Sequence, residues 1–252
     1  MSEVLFEVVD GVAVVTLNRP EARNALNRAV YQGLADAWAR IAGDIEIRCA
    51  VVTGAGGVFC AGLDLKAWLA KEDMNVKGTP FGPGAAVLDK PVIAAVEGYA
   101  LAGGFELMSV ADIVVASEKA RFGLTEVKRG LVAAGGGVMI FPRHAPFRIV
   151  NEMVLTGEHM DAETLYRHGV INKITAEGGA LEGALAYART IAANGPLAVA
   201  ACKRLMRESA EWPTAELFQR QQPIISPVFN SEDAREGARA FAEKRAPQWK
   251  GR

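Results

Sequence analysis

Few cysteines and few histidines occur in this 252-residue chain, and their scarcity excludes several classes of site. The three cysteines, Cys49, Cys60 and Cys202, are odd in number and far apart, which predicts reduced thiols rather than a disulfide framework. The three histidines lack the spacing of metal ligands, so we expect no metal site. Reduced thiols are typical of proteins in the cytoplasm, which is the location that we expect.

The sequence also lacks a long apolar run, a strong charge of one sign and a leader segment. The weakly charged run at 113–117 is interrupted on either side by Asp112 and Glu118, so we expect no transmembrane helix. The first four residues show no basic segment followed by an apolar one, so we expect no signal peptide. The formal net charge is −1, which gives no reason to expect nucleic acid or a membrane as partner.

A glycine-rich loop at 54–57 follows a predicted strand, but it does not complete a nucleotide-binding motif. The dinucleotide fingerprint G-x-G-x-x-G requires its third glycine where this chain has Phe59. None of the four tyrosines has a lysine four positions later, as a short-chain dehydrogenase would require. A P-loop and the G-x-S-x-G nucleophile motif are both absent from the sequence. We therefore expect no nicotinamide cofactor.

Strands and helices alternate in the pattern of the first 175 residues. The β-prone runs 4–9 and 12–18 flank Asp10–Gly11, which predicts a hairpin. An amphipathic helix is predicted from Leu26 to Ile41. Buried strands are then predicted at 48–53, 91–97 and 113–117. This alternation indicates an α/β core.

From Leu181 onward the pattern is helical. Pro223 and Pro227 are expected to interrupt the segment 214–230, and Ser231 is predicted to cap a last helix. We divide the chain into a core at 1–193, which holds the site, and a helical region at 194–252 that is a candidate for assembly.

The longest stretch without a secondary-structure pattern lies at 72–84. Long loops in compact enzymes often serve as lids or as walls of a substrate site. A mobile surface loop is an equally good interpretation of this segment from sequence alone.

Two carboxyl side chains near a glycine pair indicate acid–base chemistry. Gly103–Gly104 precedes a predicted apolar helix at 105–111 that carries Glu106, and Glu126 follows twenty residues later. If a helix begins near Leu63, the backbone N–H groups of Leu63 and Gly103 could together bind an oxyanion. Simpler interpretations remain open: a salt bridge for Glu106, dipole complementation for Glu126 and an ordinary turn at 59–65.

Several motifs together resemble the enoyl-CoA hydratase (crotonase) family over essentially the whole chain. They lie at 17–20 (LNRP), 23–26 (RNAL), 59–64 (FCAGLD), 91–98 (PVIAAVEG), 102–106 (AGGFE) and 120–123 (ARFG). Three further segments are similar to hydratases close to carnitinyl-CoA dehydratase: 149–154, 231–237 and 241–245.

The resemblance implies an α/β fold, a crotonase-like spiral of ββα units with a helical C-terminal trimerisation region. It also implies an acyl-CoA substrate, whose coenzyme A is part of the substrate, and no further cofactor. The assembly implied is a homotrimer or a dimer of trimers, and the metabolism is fatty acid β-oxidation.

The resemblance further assigns roles to individual residues. The catalytic residues implied are Glu106 and Glu126, and the oxyanion hole falls on the N–H groups of Leu63 and Gly103. The coenzyme A and substrate site falls on Arg23, Ala25, Ala61, Leu63, Asp64, Leu65 and Ala134. One departure from the family is Ala133–Ala134–Gly135, where hydratases often carry Pro-Gly or Pro-Asp. A backbone N–H at Ala134 could still position the catalytic water.

Both glutamates are present, which favours an enoyl-CoA hydratase, a hydro-lyase that adds water reversibly and syn to a 2-enoyl-CoA to give a 3-hydroxyacyl-CoA. The alternatives are a carnitinyl-CoA dehydratase, an enoyl-CoA isomerase and, from a different class, a non-catalytic acyl-CoA-binding relative.

Overall fold

The first two strands form the predicted hairpin. In the computed structural model, which describes residues 2–252, β1 (Val4–Val9) pairs antiparallel with β2 (Val12–Leu17). Asp10 and Gly11 have φ values of 51° and 76°. Two positive φ values in a two-residue loop match the twist of the flanking strands, which is why Asp-Gly is favoured at this turn.

Seven further strands complete two sheets. They are β3 (Cys49–Gly54), β4 (Val92–Val96), β5 (Tyr99–Leu101), β6 (Ile113–Ser117), β7 (Arg121–Gly123), β8 (Met160–Asp161) and β9 (Lys173–Thr175). The larger sheet has the order β1-β2-β3-β4-β6-β9 and is parallel from β2 onward. The smaller sheet has the order β5-β7-β8.

Nine helices are found in residues 2–252. They are α1 (Arg28–Gly43), α2 (Leu65–Leu69), α3 (Gly103–Ser109), α4 (Phe147–Thr156), α5 (Ala162–Arg167), α6 (Ala180–Ala192), α7 (Pro196–Ser209), α8 (Leu217–Phe229) and α9 (Glu232–Glu243). None of them is long and apolar enough to cross a membrane.

From β4 to β7, successive strands of the chain alternate between the two sheets. β4 belongs to the larger sheet and the next strand, β5, to the smaller one, and β6 and β7 repeat this step. The chain after β3 follows the same path. Cys60 forms a single parallel bridge with Ala100 in β5, which belongs to the smaller sheet. A helix follows each of these pairs before the chain returns to the larger sheet. This repeated ββα path confirms the predicted spiral.

Both faces of the larger sheet are covered. One face packs on the main core, whose largest fully buried side chains include Phe59, Phe105 and Phe122. The other face packs on α6, where Ala180, Ala184 and Ala188 are buried. Burial on both faces explains the unbroken apolar runs of the parallel strands. The division of the chain at residue 193 stays a prediction.

The C-terminal region corrects one prediction and confirms another. The predicted interruption at the two prolines is wrong, because α8 runs through Pro223 and Pro227. Both prolines are exposed and four residues apart, so the carbonyls that lose an N–H donor lie on one solvated side of the helix. Ser231 is the N-cap of α9, and its hydroxyl accepts the Ala234 N–H at 3.0 Å.

Loop 72–84 is partly buried. Val76, Thr79 and Phe81 within it are buried, and the Phe81 ring centroid lies 5.9 Å from that of Tyr31 in α1. The loop therefore packs into the protein and covers part of the core, which favours the interpretation as a wall.

Candidate active site

Glu106 is buried in the short helix α3, which begins at Gly103, two residues earlier than predicted. The side chain is 6% exposed, and its Oε1 accepts the N–H groups of Gly135 at 2.7 Å and Gly137 at 2.9 Å. No salt bridge to Glu106 exists within residues 2–252, so that interpretation is not supported. Burial raises the pKa of Glu106, and the backbone donors at 135–137 partly offset this effect.

The glycines that hold Glu106 cannot be replaced without a clash. A Cβ added to Gly135 would lie 2.6 Å from Phe81 Cδ2 and 2.7 Å from Glu106 Oε2. The Gly82 N–H also donates to the Gly135 carbonyl at 3.1 Å, so loop 72–84 and this segment are joined. The sequence analysis missed this role, although the glycine run 135–137 was the available signal.

Glu126 begins a single 3₁₀ turn, Glu126–Arg129, just after β7. Its Oε2 is buried and has no hydrogen-bond partner in the described part of the chain. Burial raises the pKa of Glu126 to about 7, its own backbone N–H lowers it, and the charge of Glu106 raises it further. The two carboxyls are therefore electrostatic neighbours, and a pair of this kind holds one proton more readily than none.

The N–H groups of Leu63 and Gly103 lie close together. A Cβ placed on Gly62 would lie 3.2 Å from the Gly103 nitrogen, and one placed on Gly103 would lie 3.8 Å from the Leu63 nitrogen. Neither N–H donates a hydrogen bond to any group among residues 2–252. Two free donors at one point form a site for a carbonyl oxygen that gains negative charge.

The Leu63 N–H is free for a different reason than predicted. Helix α2 begins at Leu65 with Asp64 as its N-cap, two residues later than expected, so Leu63 lies outside the helix. Leu63 instead pairs with Leu26 through a single bridge, in which the Leu26 N–H donates to the Gly62 carbonyl and the Asp64 N–H to the Leu26 carbonyl. In a parallel bridge the N–H of the middle residue, Leu63, then points away from the partner strand.

Ala102, which precedes the Gly103 donor, has a strained backbone. Its φ and ψ are 50° and −125°, a conformation that a residue with a Cβ rarely adopts. The Ala102 N–H donates to the Gly123 carbonyl at 2.7 Å, and its carbonyl accepts the Glu106 N–H at 3.0 Å. Strain of this kind persists only where surrounding contacts enforce it, and it often marks a functional site.

Except for Ala134, the predicted coenzyme A residues lie on two neighbouring segments, 23–25 and 61–65, which hydrogen bonds join. Arg19 donates to the Ala25 carbonyl at 2.7 Å and pairs with Asp64 at 3.1 Å, and the Ala61 N–H donates to the Arg23 carbonyl at 3.0 Å. Leu65 follows directly and is 37% exposed.

Arg23 is exposed, and its guanidinium has no partner in residues 2–252, so it supplies a free positive charge. The buried Asn24, which the sequence analysis missed, fixes this loop by donating to the Ala55 and Val58 carbonyls at 2.9 and 2.6 Å.

Asp64 and Ala134 differ from the other predicted contacts. The Asp64 carboxylate already accepts the N–H groups of Lys66 and Ala67 at 3.0 and 3.2 Å. Partial burial acts to raise the pKa of Asp64, but these bonds and Arg19 lower it overall, so the carboxylate has a structural role. Ala134 is exposed. It directly precedes Gly135, whose N–H donates to Glu106.

No cluster of three potential metal ligands occurs within residues 2–252.

Comparison with known proteins gives one consistent family. The profile of the enoyl-CoA hydratase/isomerase family matches residues 7–252. Enoyl-CoA hydratase EchA19 of Mycobacterium tuberculosis is 44% identical over 247 residues, covering 95% of this chain and 93% of that protein. Carnitinyl-CoA dehydratase of Salmonella typhi is 42% identical over 265 residues and is covered in full.

Solved structures agree with this result. A probable enoyl-CoA hydratase/isomerase of Mycobacterium abscessus has a TM-score of 0.95 at 50% identity, and an enoyl-CoA hydratase of Mycobacterium tuberculosis has a TM-score of 0.96 at 49% identity. Each match covers the whole of both chains.

Proposed function

Because the chain belongs to the enoyl-CoA hydratase/isomerase family, we propose that it is a hydro-lyase that adds water reversibly and syn to a 2-enoyl-CoA thioester. The product is a 3-hydroxyacyl-CoA. The observation that carries this proposal is the pair of neighbouring carboxyls, Glu106 and Glu126. Glu106 lies in the helix that begins at Gly103, one of two adjacent free N–H donors.

The free N–H groups of Leu63 and Gly103 bind the thioester carbonyl oxygen. As a nucleophile attacks C3, electrons move through the C2–C3 double bond onto this oxygen, which becomes an enolate. Donors that are already in place stabilise that charge without reorganisation, and each is worth on the order of 3 kcal/mol in the transition state. The strained backbone at Ala102 fixes the direction of the Gly103 donor.

The two glutamates move the protons. For hydration, Glu106 is the base, because two backbone N–H donors stabilise its ionised form. It takes a proton from water while the oxygen bonds to C3. Glu126 is the acid, because its carboxyl is the one whose pKa is raised to about 7. It gives its proton to C2, so one water molecule is added and the pair retains one proton.

Coenzyme A lies along the loop that Arg19 organises. The exposed guanidinium of Arg23 supplies the local positive charge that a phosphate needs. Ala25, Ala61 and Leu65 offer small or exposed apolar surface beside it, and Asp64 contributes through its backbone because its carboxylate is occupied. The reaction needs no cofactor, since coenzyme A arrives with the substrate.

We further propose a homotrimer or a dimer of trimers, formed through the C-terminal helices. Phe218, Phe229 and Phe241 in α8 and α9 are 80%, 75% and 87% exposed, which is unusual for large apolar side chains. Contact with another copy of the chain would bury them. The proposed setting is fatty acid β-oxidation in the cytoplasm, in line with three free thiols.

The test compares Glu106→Gln, Glu126→Gln and Glu177→Gln, the last an exposed glutamate in a loop. We expect each of the first two to lower kcat/KM for crotonyl-CoA by about 10²–10⁴, because a positioned acid–base group contributes that much. Glu177→Gln should match the wild type. Hydration in H₂¹⁸O should place the label at C3.

Three results would overturn the proposal. The first is unchanged turnover in Glu126→Gln. The second is a product without solvent oxygen, which would indicate an isomerase. The third is acyl-CoA binding with no turnover of any enoyl-CoA, which would indicate a binding protein.

A further inference from the structure

An apolar cavity of about 150 Å³ adjoins Glu126. Six of its seven lining residues are aliphatic, and Glu126 is the one polar member. The lining consists of Leu124, Glu126, Val127, Val132, Ala133, Val138 and Val154. The buried Oε2 of Glu126 has no hydrogen-bond partner among residues 2–252, as expected for a carboxyl set against an aliphatic wall.

The cavity wall also touches the segment that holds Glu106. A Cβ on Gly137 would lie 2.8 Å from Leu124 Cδ2 and 3.1 Å from the Ala133 Cβ, so these side chains pack directly on Gly137. The Gly137 N–H donates to Glu106. Glu126 therefore lines the cavity directly, and Glu106 is joined to the cavity wall through Gly137.

We propose that this cavity receives the part of the acyl group beyond C3, and that the enzyme prefers uncharged acyl groups with up to about six carbon atoms there. The size follows from volume, because an apolar cavity of about 150 Å³ in another protein holds one benzene molecule. This inference rests on the proposed hydratase function and adds the substrate class.

The cavity mouth limits the benefit of longer chains. Val127 and Val132 are 41% and 69% exposed and stand at the edge of the lining. Carbon atoms beyond the cavity would pass this edge into water and bury no further apolar surface. Binding should therefore improve with chain length only until the cavity is full.

The same lining disfavours a carnitinyl group, which carries a quaternary ammonium. Such cations are recognised by aromatic cages, and none of the lining residues is aromatic. The only polar neighbour is Glu126, and a cation beside it would favour its ionised form. The cation would thus remove the proton that hydration needs.

The first experiment measures kcat/KM of the full chain for crotonyl-, 2-hexenoyl-, 2-octenoyl- and 2-dodecenoyl-CoA, with crotonobetainyl-CoA as the charged substrate. We expect about a fourfold rise per methylene up to 2-octenoyl-CoA, from about 0.8 kcal/mol per buried methylene, and less than a fourfold change from there to 2-dodecenoyl-CoA. Crotonobetainyl-CoA should be at least about 100-fold poorer than 2-hexenoyl-CoA.

Two outcomes contradict the inference while leaving hydration intact. One is a rise of about fourfold per methylene that continues to 2-dodecenoyl-CoA. The other is a kcat/KM for crotonobetainyl-CoA within about tenfold of that for 2-hexenoyl-CoA, which would indicate a dehydratase of the carnitinyl type. Absence of hydration for every thioester would instead contradict the proposed function itself.

The second experiment fills the cavity with Val154→Phe. The added ring should lower kcat/KM for 2-octenoyl-CoA at least about tenfold more than for crotonyl-CoA, because only the longer chain needs the lost volume. Val9→Phe is the matched control, since Val9 lies in β1 and is 59% exposed. It should leave the ratio between the two substrates unchanged.

A smaller side chain provides a check if Val154→Phe does not fold. Val154→Ala should shift the plateau to acyl chains one or two carbons longer, since it enlarges the cavity by about two methyl groups. Equal losses for all chain lengths in Val154→Phe, or an unchanged plateau in Val154→Ala, would place the acyl group elsewhere.

Discussion

Glu106 and Glu126, the proposed catalytic pair, lie in two different kinds of local structure. Glu106 lies in helix α3, is 6% exposed, and its Oε1 accepts two backbone N–H groups. Glu126 lies on a single 3₁₀ turn, and its buried Oε2 accepts none. The comparison shows that burial alone does not set the role of a carboxyl. Backbone donors offset part of the effect of burial on the pKa of Glu106, whereas the buried Oε2 of Glu126 has no such donor.

The same difference means that one feature fixes the position of the Glu106 carboxylate and another fixes the protonation of Glu126. Glycine N–H groups at 135 and 137 fix the place of the Glu106 carboxylate, so its geometry depends on a loop that is distant in sequence. Glu126 depends on its aliphatic surroundings, which raise its pKa to about 7. Changes to the glycines should therefore disturb the base, and changes of pH should report on the acid.

Among changes that leave both carboxyls in place, the largest expected effect comes from Gly135→Ala. The new Cβ would meet Phe81 and Glu106 Oε2 at 2.6 and 2.7 Å, so the Glu106 carboxyl must move. Since a displacement of about 1 Å at a catalytic group costs about 10²-fold, we expect kcat/KM for crotonyl-CoA to fall by about that factor.

Gly43→Ala is the control for this substitution. Gly43 ends α1, and a Cβ there would have no atom within 4 Å. The control should keep full activity. If Gly135→Ala were as active as Gly43→Ala, Glu106 would not depend on the glycine loop, and the contrast between the two carboxyls would fail.

The next effect is the pH dependence of kcat/KM. Glu126 must be protonated for hydration and its pKa is raised to about 7, so kcat/KM should fall tenfold per pH unit well above pH 7. Hydration neither consumes nor releases a proton, so its equilibrium constant does not change with pH. The same limb must then appear in dehydration of the 3-hydroxyacyl-CoA.

Measurement of both directions between pH 6 and pH 9 tests this dependence, with the stability of the enzyme checked at each pH. A profile that stays flat to pH 9 would show that Glu126 is not the proton donor in this range.

The smallest effect concerns stability. A carboxyl with a raised pKa binds its proton more tightly in the folded state, so its contribution is full below about pH 4.5 and is lost as the pH rises through about 7. The Glu126→Gln variant has no carboxyl to ionise at this position, so it does not lose this stability as the pH rises. Because solvent screens the partly exposed group, we expect a gain in the free energy of unfolding on the order of 1 kcal/mol at pH 8, and none at pH 4.5.

Glu106→Gln should differ in sign from this variant. The glutamine NH₂ group would lie in the position of a buried oxygen without an acceptor, which costs stability. Denaturant unfolding at one fixed protein concentration compares both variants with Glu177→Gln. Equal stability of the two variants at pH 8 would show that the backbone donors do not distinguish the carboxyls.

Local signals were sufficient for the hairpin, the buried strands and the helix that carries Glu106. Asp10–Gly11 requires positive φ values, and the apolar run around Ile93 requires burial on both sides, so each signal has one physical solution. The same local reasoning failed at Pro223 and Pro227. It treated proline as a break, whereas the structure leaves their unmatched carbonyls in water.

The candidate site was predictable only in part. Gly103 and Glu106 stand in the contiguous motif 102–106, Glu126 follows the motif 120–123 by three residues, and the resemblance to known enzymes assigned them roles. The Leu63 N–H was predicted to be a free donor because of a helix start. It is free because Leu63 forms a bridge with Leu26. Bridges between distant segments leave no periodic signal in a sequence.

By itself the sequence predicted an alternating α/β core, two carboxyls that follow a glycine pair, and the small residues that admit a backbone near a ligand. These depend on side-chain type and on contacts between near neighbours. Only the tertiary structure decided that Gly135 and Gly137 hold Glu106, that Glu126 faces an aliphatic cavity, and that Phe81 packs beside Gly135. Those contacts join residues about 10 to 55 positions apart, and their free energy exists only once the chain has folded.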